Sequence, residues 1–456
     1  MTASDSPPPI LPGLRIHKEL HARMAEPVTV PCRIRHSAYL LPDEDPRARE
    51  EVRRRFEDII RGLNIPRDNI HWGERSGRVE TALTDASSLR VVWELHSEFY
   101  SYTTYHLADP AQSAENALVP SFTFPALPTL GTKLVDLDIV VLPGEQLTES
   151  LRGFLGAGPL YGGMVVAGEG RVWTSFRVDD GGQGRCVVRA GTLGPGRLGR
   201  LIRRLVEIEN YYHLILLPLE EYRAQVPLLR ELEGRITQRS RDVAQTLAGT
   251  RADPDAEHRW LVALTGDLAE LTHLTERMRY QFSAADSYYA IFEERLRWLR
   301  EQTGEGYQTL EEFLTARVAP AVRNYRNFVS RADTLAGQLT SMGNMLRTRV
   351  NLSMERQSLA TMRAMDRRFE LQLNLQFTVE GLSVIVLSYY ATALASYGFK
   401  ALDVLWHLPG KPDLWAAATI PLWLGLAWGF TRRVKRMAKA YLHGEQAREP
   451  LDGGAS

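Results

Sequence analysis

Three residues offer the most direct chemistry in this chain. Glu94, His96 and Glu98 alternate within LRVVWELHSEFYSYTTY (89–105), a run whose β-branched and aromatic content reads as strand. Alternation puts all three on one strand face, where an imidazole between two carboxylates can ligate a divalent metal. The competing reading is a solvated or hydrogen-bonded strand face. No second cluster at fixed spacing closes a site, so the structural reading is preferred and no cofactor is assigned. Glu19, His21 and Arg23 would complete such a site only if the fold brings them close.

The other chemical signals are weaker than their structural alternatives. Gly153, Gly156, Gly158, Gly162 and Gly163 imitate a phosphate loop, but the following MVVAGEGRVW reads as strand where a helix N-terminus is required, and no lysine follows. These glycines are read as turns. Arg200, Arg203, Arg204, Glu207 and Glu209 form either a patch for an acidic headgroup or a solvated helix face with an i,i+4 pair between Arg203 and Glu207; the second is favoured. No Gly-x-Ser-x-Gly elbow or His-Glu-x-x-His helix occurs, so the chain carries no catalytic motif and is expected not to be an enzyme.

A polar stripe lies in an apolar setting. Ser388, Thr392 and Ser396 recur every four residues within Gly381 to Phe399, and Glu380 sits at its start. Small polar residues on one helix face allow close helix packing or line a wet path, and packing is the preferred reading. An acidic residue at a membrane boundary faces protein or water, which makes Glu380 the best single functional candidate, with no function named for it.

These residues need elements to hold them. The 456 residues are 44% apolar and 24% charged, with 55 basic side chains balanced by 55 acidic ones, which is the composition of folded protein with no global field for nucleic acid. Only Cys32 and Cys186 are present, so a disulfide framework is excluded. Residues 1–192 read as an α/β domain, with strand-like runs at 32–41, 77–82, 89–105, 134–142 and 171–178 and one helix after Asp45. Residues 193–370 carry long helical seams, Leu229 to Leu247 and Leu261 to Phe282, and read as a stalk of antiparallel or coiled-coil helices. Residues 371–430 hold two charge-free runs, giving spans at about 377–399 and 414–430; roughly 20 residues cross a bilayer, so the first suffices and the second is marginal. Basic residues flank the pair, Arg363, Arg367 and Arg368 before and Arg432 to Lys439 after, so both termini are expected to be cytoplasmic, with 431–456 a basic tail.

Several separated stretches, in order, point to a family. ELHAR near the start, WELHSEF around His96, EIENYYHLILLPLEEYR, LRTRVNLSMERQ and MDRRFELQLNLQFTVEGLSVIVLSYY together resemble the domain of unknown function 3422 family. The resemblance spans nearly the whole chain and implies a membrane-anchored bacterial protein, with no established reaction. The layout alone is similar to CorA-type divalent-cation channels: an α/β cytoplasmic domain, stalk helices, one long helix becoming the first span, and a second span. Those channels carry Tyr-Gly-Met-Asn after the first span. Here Tyr397 and Gly398 match, but Phe399 and Lys400 follow, and a lysine at a pore mouth repels a divalent cation.

The expected protein is therefore a homo-oligomeric, multi-pass component of the bacterial inner membrane, a scaffold or sensor with the lipid bilayer as partner, no nucleic acid and no identifiable small-molecule substrate. A CorA-like channel is the alternative.

Overall fold

In strands 32–40 and 133–142, apolar residues alternate with charged and polar ones near one end, and such strands pair so that one face is dry. The computed structural model describes residues 25–42, 46–63, 65–66, 69–83, 87–108, 124–248, 254–304, 306–406, 411–430 and 432–433. The chain divides into two compact units, Met1–Thr250 with His258–Asn344 and Arg251–Glu257 with Met345–Ser456.

Among the described residues of the first unit, nine strands form one sheet: β1 (Cys32–Leu40), β2 (Ile70–Trp72), β3 (Ser76–Ala82), β4 (Ser88–Leu95), β5 (Phe99–Leu107), β6 (Lys133–Leu142), β7 (Tyr161–Val165), β8 (Gly170–Val178) and β9 (Gly184–Arg189). Their order is β2-β3-β4-β5-β1-β6-β9-β8-β7, antiparallel throughout except for the parallel pair β6 and β9. Helices α1 (Pro46–Gly62) and α2 (Glu149–Leu155) cover separate patches of the sheet. Val52, Phe56 and Ile59 of α1 meet Val91, Trp93 and Tyr102, while Leu151 and Phe154 of α2 meet Val140, Leu142 and Trp173.

The larger core is built from Ile34, Ile139, Val141 and Val188 against three helices, α3 (Pro195–Leu216), α5 (Pro254–Leu299) and the start of α6 (Leu310–Trp406). Between α3 and α5 runs α4 (Leu219–Ala248). In α5, Leu264, Leu271, Met278, Ala285, Phe292 and Leu299 are all buried at a strict spacing of seven, and Leu314, Ala321, Phe328, Leu335 and Met342 do the same in α6. Seven-residue repeats on long helices bury one continuous seam. One seam differs from its sequence reading: Asp267, not Leu268, takes the inward position. Arg239 of α4 stands 2.9 Å from its carboxylate and makes that burial tolerable.

The 89–105 run is not one strand but the hairpin β4 and β5. Nor are the glycines of 153–163 simply turns: Gly153 lies within α2, and Gly162 and Gly163 lie within β7 with φ of +114° and +137°. A Cβ on Gly162 would stand 2.1 Å from the Val172 carbonyl oxygen, so close strand pairing explains the glycine. Cys32 and Cys186 are free, buried thiols in the sheet core.

In the second unit, α6 is long and apolar enough to cross a membrane. Beyond it, α7 (Pro412–Ala418) stops at Thr419, and helical geometry resumes over 420–430. Pro421 accounts for the interruption, because its ring crowds the carbonyl four residues back and it has no N–H to continue the ladder. The expected second span is thus a broken helix, and among the described residues α6 is the one element that meets the length and hydropathy needed to span. Within this unit Arg349 pairs with the fully buried Glu257 at 2.9 Å, and Lys400 with Asp413 at 3.2 Å.

Candidate functional site

The hairpin redistributes the first three candidates. β4 ends at Leu95, and the His96 N–H bonds to the Phe99 carbonyl at 2.8 Å, closing a turn through His96–Glu98. Period-two alternation therefore does not extend to His96 and Glu98, and the expected shared face is absent. Glu94 meets Arg203 of α3 at 3.3 Å. His96 stacks on Phe99 with ring centroids 4.1 Å apart. Glu98 accepts from the Tyr280 hydroxyl of α5 at 3.3 Å and also from Tyr288, whose hydroxyl burial pushes well above its ordinary value. Among the described residues no group of three or more His, Cys, Asp or Glu can hold a metal ion. Glu19, His21 and Arg23 lie outside the described residues.

Glu94 and His96 do line a cavity of about 250 Å³ between the sheet and α3. Its mouth is a ladder of ion pairs. Arg203 bridges Glu94 and Glu207, the latter at 2.9 Å in the i,i+4 geometry expected from the sequence, and Arg295 of α5 pairs with the other oxygen of Glu207. Burial alone would lower Arg203, but the two carboxylates more than offset it and hold it above its ordinary value. On the sheet side, Arg78 bridges Glu26 at 2.8 Å and Glu80 at 2.9 Å. Arg295 also lies 4.5 Å over the ring of Trp298, and Tyr211 of the cavity wall stacks on Tyr288 at 5.7 Å.

Behind two residues of the cavity wall, Thr103 and Asn210, lies a buried polar network. His36 of β1 and Thr103 of β5 are direct cross-strand partners, and the His36 Nδ1 lies 2.9 Å from the Thr103 Oγ1. The His36 Nε2 lies 3.0 Å from the Asn210 Oδ1. Burial pushes His36 below its ordinary value, so the neutral ring is favoured. A neutral ring with its proton on Nε2 donates to Asn210 and accepts from the Thr103 hydroxyl, which fixes the tautomer. Tyr105, 8% exposed, also lines the cavity. Its hydroxyl has no hydrogen-bond partner among the described residues.

The arrangement can bind and orient a small polar molecule, since it presents charges of both signs, hydroxyls and an amide. Glu26, Arg78, Thr103, Tyr105 and Asn210 escaped sequence reasoning because they come from three separate elements and the segment before β1. One signal was available: His36, Thr103 and Tyr105 sit at buried positions of their strands, and buried polar groups there need partners.

In the second unit, the stripe residues are the less exposed face of α6. Ser388 is buried, Thr392 and Ser396 are half-buried, and Tyr397 and Gly398 are exposed. The Ser388 hydroxyl donates to the Val384 carbonyl at 2.7 Å and that of Thr392 to the Ser388 carbonyl at 2.8 Å. Both hydroxyls are thus spent on their own helix. Glu380 is half-buried. A matching sheltered stripe, Ala416, Thr419, Trp423 and Ala427, lies in the segment after α6.

Against known proteins, the family model described as Protein of unknown function (DUF3422) matches residues 14–438. No curated protein and no solved structure matches the chain.

Proposed function

The chain belongs to the DUF3422 family, and we propose that it is a non-enzymatic, membrane-anchored sensor or scaffold of the bacterial inner membrane, whose α/β body takes a small ligand and whose long helices carry the response to the bilayer. One observation carries this reading: α6 is a single helix whose early turns pack in the body's core and whose later residues form the apolar run. In this reading residues 371–430 form a two-span hairpin with both termini cytoplasmic, and the sheltered stripes of α6 and of 416–427 are its packing seam. Copies associate through the exposed helix before the first span, where Leu352, Leu359, Met362, Phe369 and Leu373 follow a seven-residue pattern and are exposed in the single chain. Cysteine-accessibility labelling at positions 407 and 445 in intact cells tests the topology. Label reaching 407 but not 445 from outside is the expected result, and label reaching 445 contradicts it.

A CorA-like divalent-cation channel is the second reading, favoured by the continuity of α6 and by Tyr397-Gly398. It is the weaker one. Ser388 and Thr392 spend their hydroxyls on their own helix, and Lys400 follows where a cation would enter.

A further inference from the structure

We propose that the cavity between the sheet and α3 binds a small zwitterion of the free amino acid class, an inference that rests on taking this cavity as the body's sensing site. Two polar groups of the cavity wall have open hydrogen-bonding positions. The Tyr105 hydroxyl has no partner among the described residues although the side chain is 8% exposed, and Asn210, 5% exposed, commits its Oδ1 to His36 and leaves its amide nitrogen without an acceptor among them. Both atoms are within reach of solvent in the cavity, so water satisfies them when it is empty and a polar occupant can take that water's place. A neutral apolar molecule would strand them.

The wall also carries charges of both signs. Three carboxylates, Glu26, Glu94 and Glu207, and two guanidiniums, Arg78 and Arg203, line the cavity, and Arg295 balances Glu207 from behind. A ligand of net charge would enter a balanced site uncompensated, whereas a zwitterion brings one charge for each sign already there. Arg203 has committed Nε to Glu207 and Nη2 to Glu94, which leaves Nη1 for a carboxylate; Glu94 engages Arg203 through one oxygen only and leaves the other for an ammonium. The volume corresponds to about eight waters, which suits a molecule of amino-acid size.

The test is isothermal titration of the full-length protein in lipid nanodiscs with each of the twenty common amino acids at millimolar concentration, and with acetate, methylammonium and glycerol as separate probes. At least one amino acid is expected to bind while acetate and methylammonium do not. Glu94→Gln should weaken that binding by about tenfold or more, as loss of a charged contact does, and Tyr105→Phe by about fivefold. Tyr105→Phe should keep the wild-type melting temperature without ligand, whereas Glu94→Gln, which also loses the ion pair with Arg203, should lower it modestly. Silence from all twenty overturns the proposal, as does binding that neither variant changes. Glycerol binding with the same sensitivity to both variants overturns the zwitterion class. Binding in a chain whose labelling at 407 and 445 contradicts the hairpin would leave this inference standing and remove the membrane reading alone.

Discussion

The sheet body and the helical second unit use the same apolar residue types to opposite ends. In the body, Ile34, Ile139, Phe292 and Leu314 are at most 1% exposed, and charged groups are paired around them. In residues 381–430, Leu387 is 63% exposed, Leu394 73% and Trp428 59%. An apolar surface of this extent is not sustained in water and calls for an apolar surrounding or a neighbouring copy. Burial within one chain explains the first region and cannot explain the second.

The largest expected effect sharpens that contrast directly. Phe292→Ala should destabilise the body by about 3–5 kcal/mol, whereas Leu394→Ala, an equally apolar truncation, should change it by less than about 0.5 kcal/mol. Denaturant titration of detergent-solubilised protein, followed by near-ultraviolet circular dichroism of the body's aromatics, measures both. Equal losses would break the distinction.

A smaller effect comes from the charges that only the body buries. Asp136 of β6 is held below its ordinary value: burial alone would raise it, but hydrogen bonds from Arg35 at 2.9 Å and Lys133 at 2.8 Å outweigh that. A depressed carboxyl contributes stability above its unfolded pKa and loses it as pH falls through the folded value. Melting curves should therefore show an acid loss beginning near about pH 4, and Asp136→Asn should cost about 1–3 kcal/mol at neutral pH and remove much of that slope. A variant with an undiminished acid slope would place the titrating group elsewhere.

His36 gives the next effect. Its folded pKa is lowered, chiefly by burial and despite Asn210, so its contribution is complete above the unfolded value and declines as pH falls below about 6.5. Stability should drop by about 1 kcal/mol between about pH 7 and about pH 5, and His36→Gln should flatten that interval. A slope unchanged in the variant would mean that His36 is not the group responsible.

The smallest effect on the body, and an informative one for the second unit, is Thr392→Leu. The larger side chain should crowd the sheltered face of α6 and weaken oligomers in mild detergent while the body's melting is unchanged. Loss of a divalent-cation flux with assembly intact would favour the channel reading instead.

How much of this was legible depended on whether a residue's role is local. The helix over 46–62 was readable because Val52, Phe56 and Ile59 recur at helical spacing, and most strand runs because alternation is local. The short β2 and the glycine-rich β7 lack that pattern and depend on neighbours that the sequence does not order. Glu94 was singled out for the wrong reason: its partner is Arg203, 109 residues away, while His96 and Glu98 fall in a turn. Asp267 shows the same limit, since only the presence of Arg239 across the seam lets an acid displace Leu268.

The most direct measurement is alkaline carbonate extraction of bacterial membranes containing the full-length protein, beside a chain ending before Leu371. The full-length chain should stay in the membrane pellet and the shortened one should be released, because the proposed anchor is the exposed apolar run after 380. Release of the full-length chain would contradict the account.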